Sequence, residues 1–129
     1  MGNNIIFIPI ELPVRELSSS AMLASYLSSK GMKVVIGSQL HIKNLALNSK
    51  KTIYLDKTLY SAHNNFYSNL SKKNIKIFCD DIEASGCHVP EIYAQGRFSQ
   101  KNIDLAKGIF FWGKDDFSAV KKYYDISDT

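Results

Sequence analysis

The sequence predicts an α/β domain, a doubly wound sheet of about five parallel strands with helices on both faces. Three observations carry that expectation. Apolar runs of strand length recur along the 129 residues, and stretches of helical period separate them. The first run, residues 4–9, is apolar without alternation, which suits a strand buried on both faces of a helix-covered parallel sheet. No repeat, linker or low-complexity tract breaks the pattern, so residues 1–129 read as one Rossmann-like domain.

Each element has its own signal. After strand one, Pro9 and Pro13 bracket a loop that holds Glu11. A helix over 14–30 sets Leu17, Ala21, Ala24 and Leu27 on one face, and Gly31 stops it. Strand two, 33–36, ends at Gly37-Ser38, closing a first strand–helix–strand unit. A helix over 39–48 follows, with Leu40, Ile42 and Leu47 as its apolar contacts. Strand three, 52–55, ends in Asp56-Lys57, and a third helix covers 64–73. Strand four, 75–79, runs into the acidic stretch Asp80-Asp81-Ile82-Glu83. Residues 84–98 contain Gly86, Pro90 and Gly96, show no clear period, and read as a long loop of the functional kind. A short helix near 99–105 leads to strand five, 108–112, and Gly113 turns the chain. Asp115 and Asp116 favour the start of a last helix with Phe117, Val120 and Tyr124 on one face. Periodicity does not order strands; the general doubly wound pattern gives 3-2-1-4-5.

Bulk properties exclude several classes. No apolar run approaches the ~20 residues of a membrane span, and the amino terminus lacks the pattern of a signal peptide, so a cytoplasmic location is expected. Cys79 and Cys87 match no zinc or redox spacing, and His88 beside Cys87 has no further ligands nearby, so no metal is expected. The net charge of +4 comes from short lysine pairs scattered over different elements, which speaks against a nucleic-acid partner. It fits a solvated surface, or weak attraction to phosphorylated substrates or an anionic membrane face.

In open α/β sheets, ligands bind outside the carboxyl ends of the strands. There the sequence offers Glu11, Arg15 and Glu16, then Gly37 and Ser38, then Asp56 and Lys57, then Asp80, Asp81 and Glu83, then Gly113 and Lys114. Glycine-rich dinucleotide and P-loop phosphate motifs are absent, as is a Gly-x-Ser-x-Gly nucleophile elbow. The acidic stretch is either a solvated turn or a source of a general base or nucleophile, its carboxylates raising one another's pKa by repulsion. Arg15 could grip an anion or pair with Glu16 or Glu11. Asp56-Lys57 reads equally as a surface pair.

The run Ile8-Pro9-Ile10-Glu11-Leu12-Pro13-Val14-Arg15-Glu16-Leu17 resembles the opening of a bacterial family of surface carbohydrate biosynthesis proteins. Gly31 to Gly37, Ile53-Tyr54-Leu55-Asp56-Lys57 and Phe111-Trp112-Gly113 resemble further segments of that family in the same order. The resemblance implies a glycosyltransferase of the GT-B arrangement that assembles capsule or lipopolysaccharide, with this chain as its amino-terminal, acceptor-side domain. It implies a glycan or glycolipid acceptor, work at the inner face of the membrane, and a carboxyl-terminal Rossmann-like domain, on the same or a separate chain, that holds the nucleotide-sugar donor. This domain itself would bind no cofactor. Glu11, Arg15, Glu16, Gly37, Ser38, Asp56 and Lys57 become acceptor-site or interdomain residues, and Asp81 and Glu83 the catalytic acids. The family's Asp-Glu-Glu-Gly is here Asp81-Ile82-Glu83-Ala84, a departure at its second and fourth positions.

Two alternatives belong to other classes. A non-catalytic Rossmann-like binding domain accommodates the altered acidic motif. A signalling receiver would use Asp56 and Lys114, but where it needs an acidic pair after strand one this chain has Ile10-Glu11-Leu12-Pro13.

Overall fold

The computed structural model describes residues 5–82 and 89–126. Five strands, β1 (Ile5–Ile10), β2 (Lys33–Ser38), β3 (Ile53–Asp56), β4 (Lys76–Asp80) and β5 (Ala106–Phe110), form one wholly parallel sheet. The helices are α1 (Pro13–Ser29), α2 (Gln39–Leu47), α3 (Asn64–Lys72), α4 (Pro90–Arg97), α5 (Gln100–Leu105) and α6 (Lys114–Tyr123), with a 3₁₀ turn at Ser61–His63. The Rossmann-like α/β class is as expected from the sequence. Among the described residues, no helix is long and apolar enough to cross a membrane.

The strand order is 2-1-3-4-5, not the expected 3-2-1-4-5. Helix α2 accounts for the difference, because it packs across β1 as well as β2 and delivers the chain to the far edge of β1. There β3 pairs with β1, setting Ile6 opposite Ile53 and Phe7 opposite Tyr54. Direction then decides which face each helix takes. A right-handed crossover puts its helix on one face when the chain steps one way across a sheet and on the other face when it steps back. Only the β1–α1–β2 step runs one way; every later step runs the other.

The core follows that division. Phe7, Tyr54, Ile77 and Cys79 project from alternate strand positions into one cluster with Ile42, Ala46, Tyr67, Leu70, Tyr93, Phe98, Ile103 and Val120. Those partners come from α2, α3, α4, α5 and α6, so five helices share one face of the sheet. Among the described residues helix α1 is the one helix on the other face, against β1 and β2, over the buried side chains of Ile6, Ile8 and Ile10.

Three local expectations are corrected. Part of the stretch read as a loop, 84–98, is α4, which opens with Pro90, carries Glu91 in its first turn and ends at Arg97. Proline fits there because the first helical position leaves its N–H unused in any case. Strand five lies two residues earlier than its aromatic run suggests, at 106–110 rather than 108–112. In α1 the expected apolar face is not the packed one: Leu17 and Ala21 are exposed, Ala24 and Leu27 are half-buried, and the single fully buried side chain is Glu16. Leu40 is exposed too, leaving Ile42 and Leu47 as the packed residues of α2.

The segment after β3 is held by Asn102, whose buried amide donates to the carbonyls of Leu59 (3.0 Å) and Tyr60 (2.9 Å). Replacing Asn102 with Ala strands both acceptors. Chemical denaturation should show a loss of roughly 2–4 kcal/mol, with the denaturant slope unchanged.

Candidate functional site

The turn between β1 and α1 is organised by Glu16. Its carboxylate accepts from the backbone N–H groups of Glu11 (2.9 Å) and Leu12 (3.4 Å), a return from the helix like that of a capping box. A bound anion would seek such N–H groups at a helix start; here the chain's own carboxylate has them. Lys57, from the end of β3, reaches across 41 residues to within 2.9 Å of Glu16 and also pairs with Glu11. Arg15 adds an exposed guanidinium 3.6 Å from Glu16. Although burial works to raise the pKa of Glu16, the Glu11 N–H, Lys57 and the Leu12 N–H hold it below its ordinary 4.5.

Asp56 is buried on the opposite side of β3. One oxygen accepts from the backbone N–H of Lys57 at 2.8 Å and the other from the Tyr67 hydroxyl at 2.7 Å. No free oxygen faces solvent, so Asp56 lacks the accessible carboxylate that a phosphoacceptor needs. Asp81 is more deeply committed. It is 0% exposed, accepts from Arg97 at 2.8 Å and 2.6 Å, and receives the Tyr93 hydroxyl. Burial, outweighing Tyr93 and Arg97, keeps its pKa above the ordinary 3.8. Arg97 also donates to the Lys57 carbonyl at 2.7 Å, so Arg15, Glu11, Glu16, Lys57, Asp56, Arg97 and Asp81 form one continuous network along the carboxyl rim.

With the order 2-1-3-4-5, the winding reverses between β1 and β3, where their diverging ends leave a crevice. A shallow hollow of about 70 Å³ lies there, on the α1 side. Its wall is apolar at Leu23 and Leu55 and polar at Ser19, Ser20, Lys57 and Asp80. At ~30 Å³ per water this is room for about two, so the hollow can seat the edge of a polar ligand, not enclose it. Asp80 is half-buried, and among the described residues its carboxylate has no side-chain hydrogen bond or ion pair. Burial and repulsion from Asp81 raise its pKa above 3.8, the direction that suits a proton acceptor working near neutral pH.

Of the residues singled out in the sequence, Glu16 and Lys57 line this hollow, and Asp56 borders it while its carboxylate turns to Tyr67. Glu11 and Arg15 reach it only through the ion network. Gly37 and Ser38 end β2 on the far side of β1, where the Ser38 hydroxyl pairs with His41 at 2.7 Å. Gly113 caps α6 after β5 and Lys114 begins that helix, outside the lining. Glu83, Cys87 and His88 lie outside the described residues. Cys79 is buried in the core, with burial pushing its thiol pKa well up. Asp80 was named in the acidic stretch, though Asp81 and Glu83 were preferred to it; Ser19 and Ser20 are polar lining residues that sequence reasoning did not name, and Arg97, Tyr93 and Tyr67 are braces it did not name. Strand parity carried the signal for Asp80: Ile77 and Cys79 point into the core, so Asp80 points the other way.

Among the described residues no three His, Cys, Asp or Glu side chains are placed to hold a metal ion. Comparison with protein-family models, with curated proteins and with solved structures gave no match to this chain.

Two tests follow from the network. Arg97→Met leaves a buried carboxylate uncompensated and should cost about 3–5 kcal/mol at pH 7. The Asp81 pKa, already raised, then rises further, so the loss should shrink as the pH is lowered and should be partly recovered in Arg97→Met/Asp81→Asn. Glu16 works in the opposite sense. Its lowered pKa contributes stability that is fully present above 4.5 and lost as the pH falls through the folded value. Glu16→Gln should therefore flatten the acid limb of a stability–pH curve below about 4.5, and an unchanged limb would show that the carboxylate is not held as described.

Proposed function

We propose that this chain is the acceptor-side domain of a glycosyltransferase of bacterial surface polysaccharide synthesis, seating a hydroxyl-rich glycan or glycolipid acceptor at its carboxyl rim. The observation that carries the proposal is the crevice between β1 and β3, where Lys57, Asp80, Ser19 and Ser20 present donors and acceptors beside the apolar Leu23 and Leu55. Sugars offer that mixture in return: hydroxyls that both donate and accept, and apolar ring faces. The sequence resemblance supplies the reaction class, and the fold is of the kind it implies.

In this reading the acids divide their tasks. Asp80 is placed to accept a proton from an acceptor hydroxyl, since it lines the hollow. Asp81, bound to Arg97 and Tyr93, acts as a positioning residue that fixes the end of β4 and keeps the pKa of Asp80 raised. The N–H groups of Glu11 and Leu12 are satisfied by Glu16, so a nucleotide-sugar donor belongs to a second Rossmann-like domain facing this rim. Such an enzyme would work at the inner face of the membrane, where the basic surplus of the chain suits anionic lipid.

One observation favours a second reading. The complete enclosure of Asp81 is what a binding domain without catalytic acids would also show.

Titration of the isotope-labelled chain with a panel of oligosaccharides tests the first reading by amide shifts. Shifts should cluster at residues 11–20, 55–57 and 80–82, and Asp80→Asn or Lys57→Met should weaken binding roughly 10-fold. Absence of binding at millimolar sugar, or shifts confined to another edge, would reject it. Donor-dependent transfer by the chain together with its donor domain, abolished in Asp80→Asn, separates the enzyme from the binding domain.

A further inference from the structure

The face of the sheet that carries α1 is only part covered. A helix about 10 Å across spans roughly two strands at ~4.8 Å spacing, and α1 lies over β1 and β2. Among the described residues no other helix covers β3, β4 and β5 on this face. Ile53, Leu55 and Phe78 are left half-buried there outside the core cluster, and Phe110 is 58% exposed and stacked on Phe78 with ring centroids 6.5 Å apart. Gly108 shapes the strip, since a Cβ there would lie 3.1 Å from the Phe78 ring. Lys76 and Asp80 stand at the two ends of β4 and Lys107 is exposed in β5, so charges flank the apolar Leu55, Phe78 and Phe110.

The outer side of α1 is unusual in the same way. From Leu17 to Ser29 the helix has no charged residue, yet Met22 is 76% and Tyr26 61% exposed. Each of the other five helices carries charged side chains. Charge depletion with exposed Met and Tyr marks an interface core. Thus one face holds both an uncovered helix and an uncovered slot beside it, each about one helix wide.

From these two surfaces we infer that the chain forms a two-fold dimer in which α1 of each copy lies over the β3–β5 strip of the other. The operator is fixed by the geometry. A two-fold axis along the strands exchanges left and right and turns the faces toward each other, so the two α1 helices lie side by side between two sheets. An axis across the strands would drive helix onto helix, and one normal to the sheet would not bring the faces together. The contact is isologous and closed, and it gives α1 the second layer it lacks. Both carboxyl rims then point the same way and stay open. A helix of 17 residues is about 25 Å long, so the helix and slot footprints of one copy come to about 500 Å² in projection. That is on the order of the ~800 Å² of accessible surface per partner in a standard interface. An unrelated partner could fill the slot or cover the helix; a second copy does both with surfaces this chain already has.

Analytical ultracentrifugation of the whole chain tests this directly. The 14.5 kDa chain should sediment as a dimer at about 100 µM and below. Met22→Glu and Phe110→Glu, both at exposed positions, should each weaken dimerisation ~30-fold or more while circular dichroism stays unchanged. Lys121→Glu on α6 should leave the dimer intact. A wild-type monomer throughout that range, whatever else covers the face, overturns the proposal, as does a dimer that survives both glutamates. The strip meets the hollow at Leu55, and sugar binding is read separately, by amide shifts, so that failure of one proposal does not decide the other.

Discussion

The carboxyl rim depends on the guanidinium of Arg97. It stands at the last position of α4, where a cation also suits the helix dipole, and it binds Asp81 after β4 and the Lys57 carbonyl after β3. Its own carbonyl accepts from Thr58 Oγ1 (2.7 Å) and Leu59 N (3.0 Å), so one residue sews two strand ends to the helical layer. A carboxylate as buried as Asp81 persists only beside such a partner, because unpaired ionic burial costs several kcal/mol. Tyr93, one turn earlier on the same helix, takes the other carboxylate oxygen. Helix α4 thus supplies both of the partners that make Asp81 tolerable, and its place is fixed by them.

That arrangement settles how the acidic stretch divides. Two adjacent aspartates look interchangeable in sequence. In a strand they face opposite sides, and here the sides differ completely: one is a closed core with an arginine, the other an open crevice at the reversal of winding. Asp81 spends its acidity on structure. Asp80 has no side-chain partner among the described residues, and its pKa is raised by burial and by Asp81. The same parity acts on β3, where Asp56 turns to Tyr67 while the following Lys57 reaches back to Glu16. The surroundings of each charge at this rim therefore depend on which face it meets, and a shift of one residue in register would exchange them.

Much of this was legible in the residues, and the exceptions have physical causes. The unbroken apolar run Ile5–Ile8 announced a buried parallel strand, and Gly31 announced the end of α1, where φ is +84°. Pro90 with Glu91 was a helix start hidden by Gly86 and Gly96 on either side, and α4 went unread because its apolar residues, Ile92, Tyr93 and Ala94, are consecutive and set no period. Strand five was displaced toward Phe110-Phe111-Trp112 because β propensity favours aromatics, whereas Ala-Lys-Gly pairs with β4 in fact. The ion network was invisible, since Lys57 to Glu16 spans 41 residues and Arg97 to Lys57 spans 40. Strand order was out of reach for a different reason: local pattern specifies elements, whereas the edge a strand joins depends on how the preceding helix packs.

Order matters because it governs both ends of the argument. Had β3 joined β2, two crossovers would have run in the first direction and two helices would share the face of α1. The apolar side of α1 would then meet a neighbour within its own chain. Because β3 joins β1 instead, the reversal of winding falls between β1 and β3 and opens the crevice at Lys57 and Asp80. The same reversal commits every later described helix to the opposite face and leaves α1 as the one described helix on its own. Crevice and bare face are therefore one topological event seen from two sides. The uncharged run from Leu17 to Ser29, which looked in sequence like an ordinary inward face, is what a helix needs when apolar layers lie both beneath and above it.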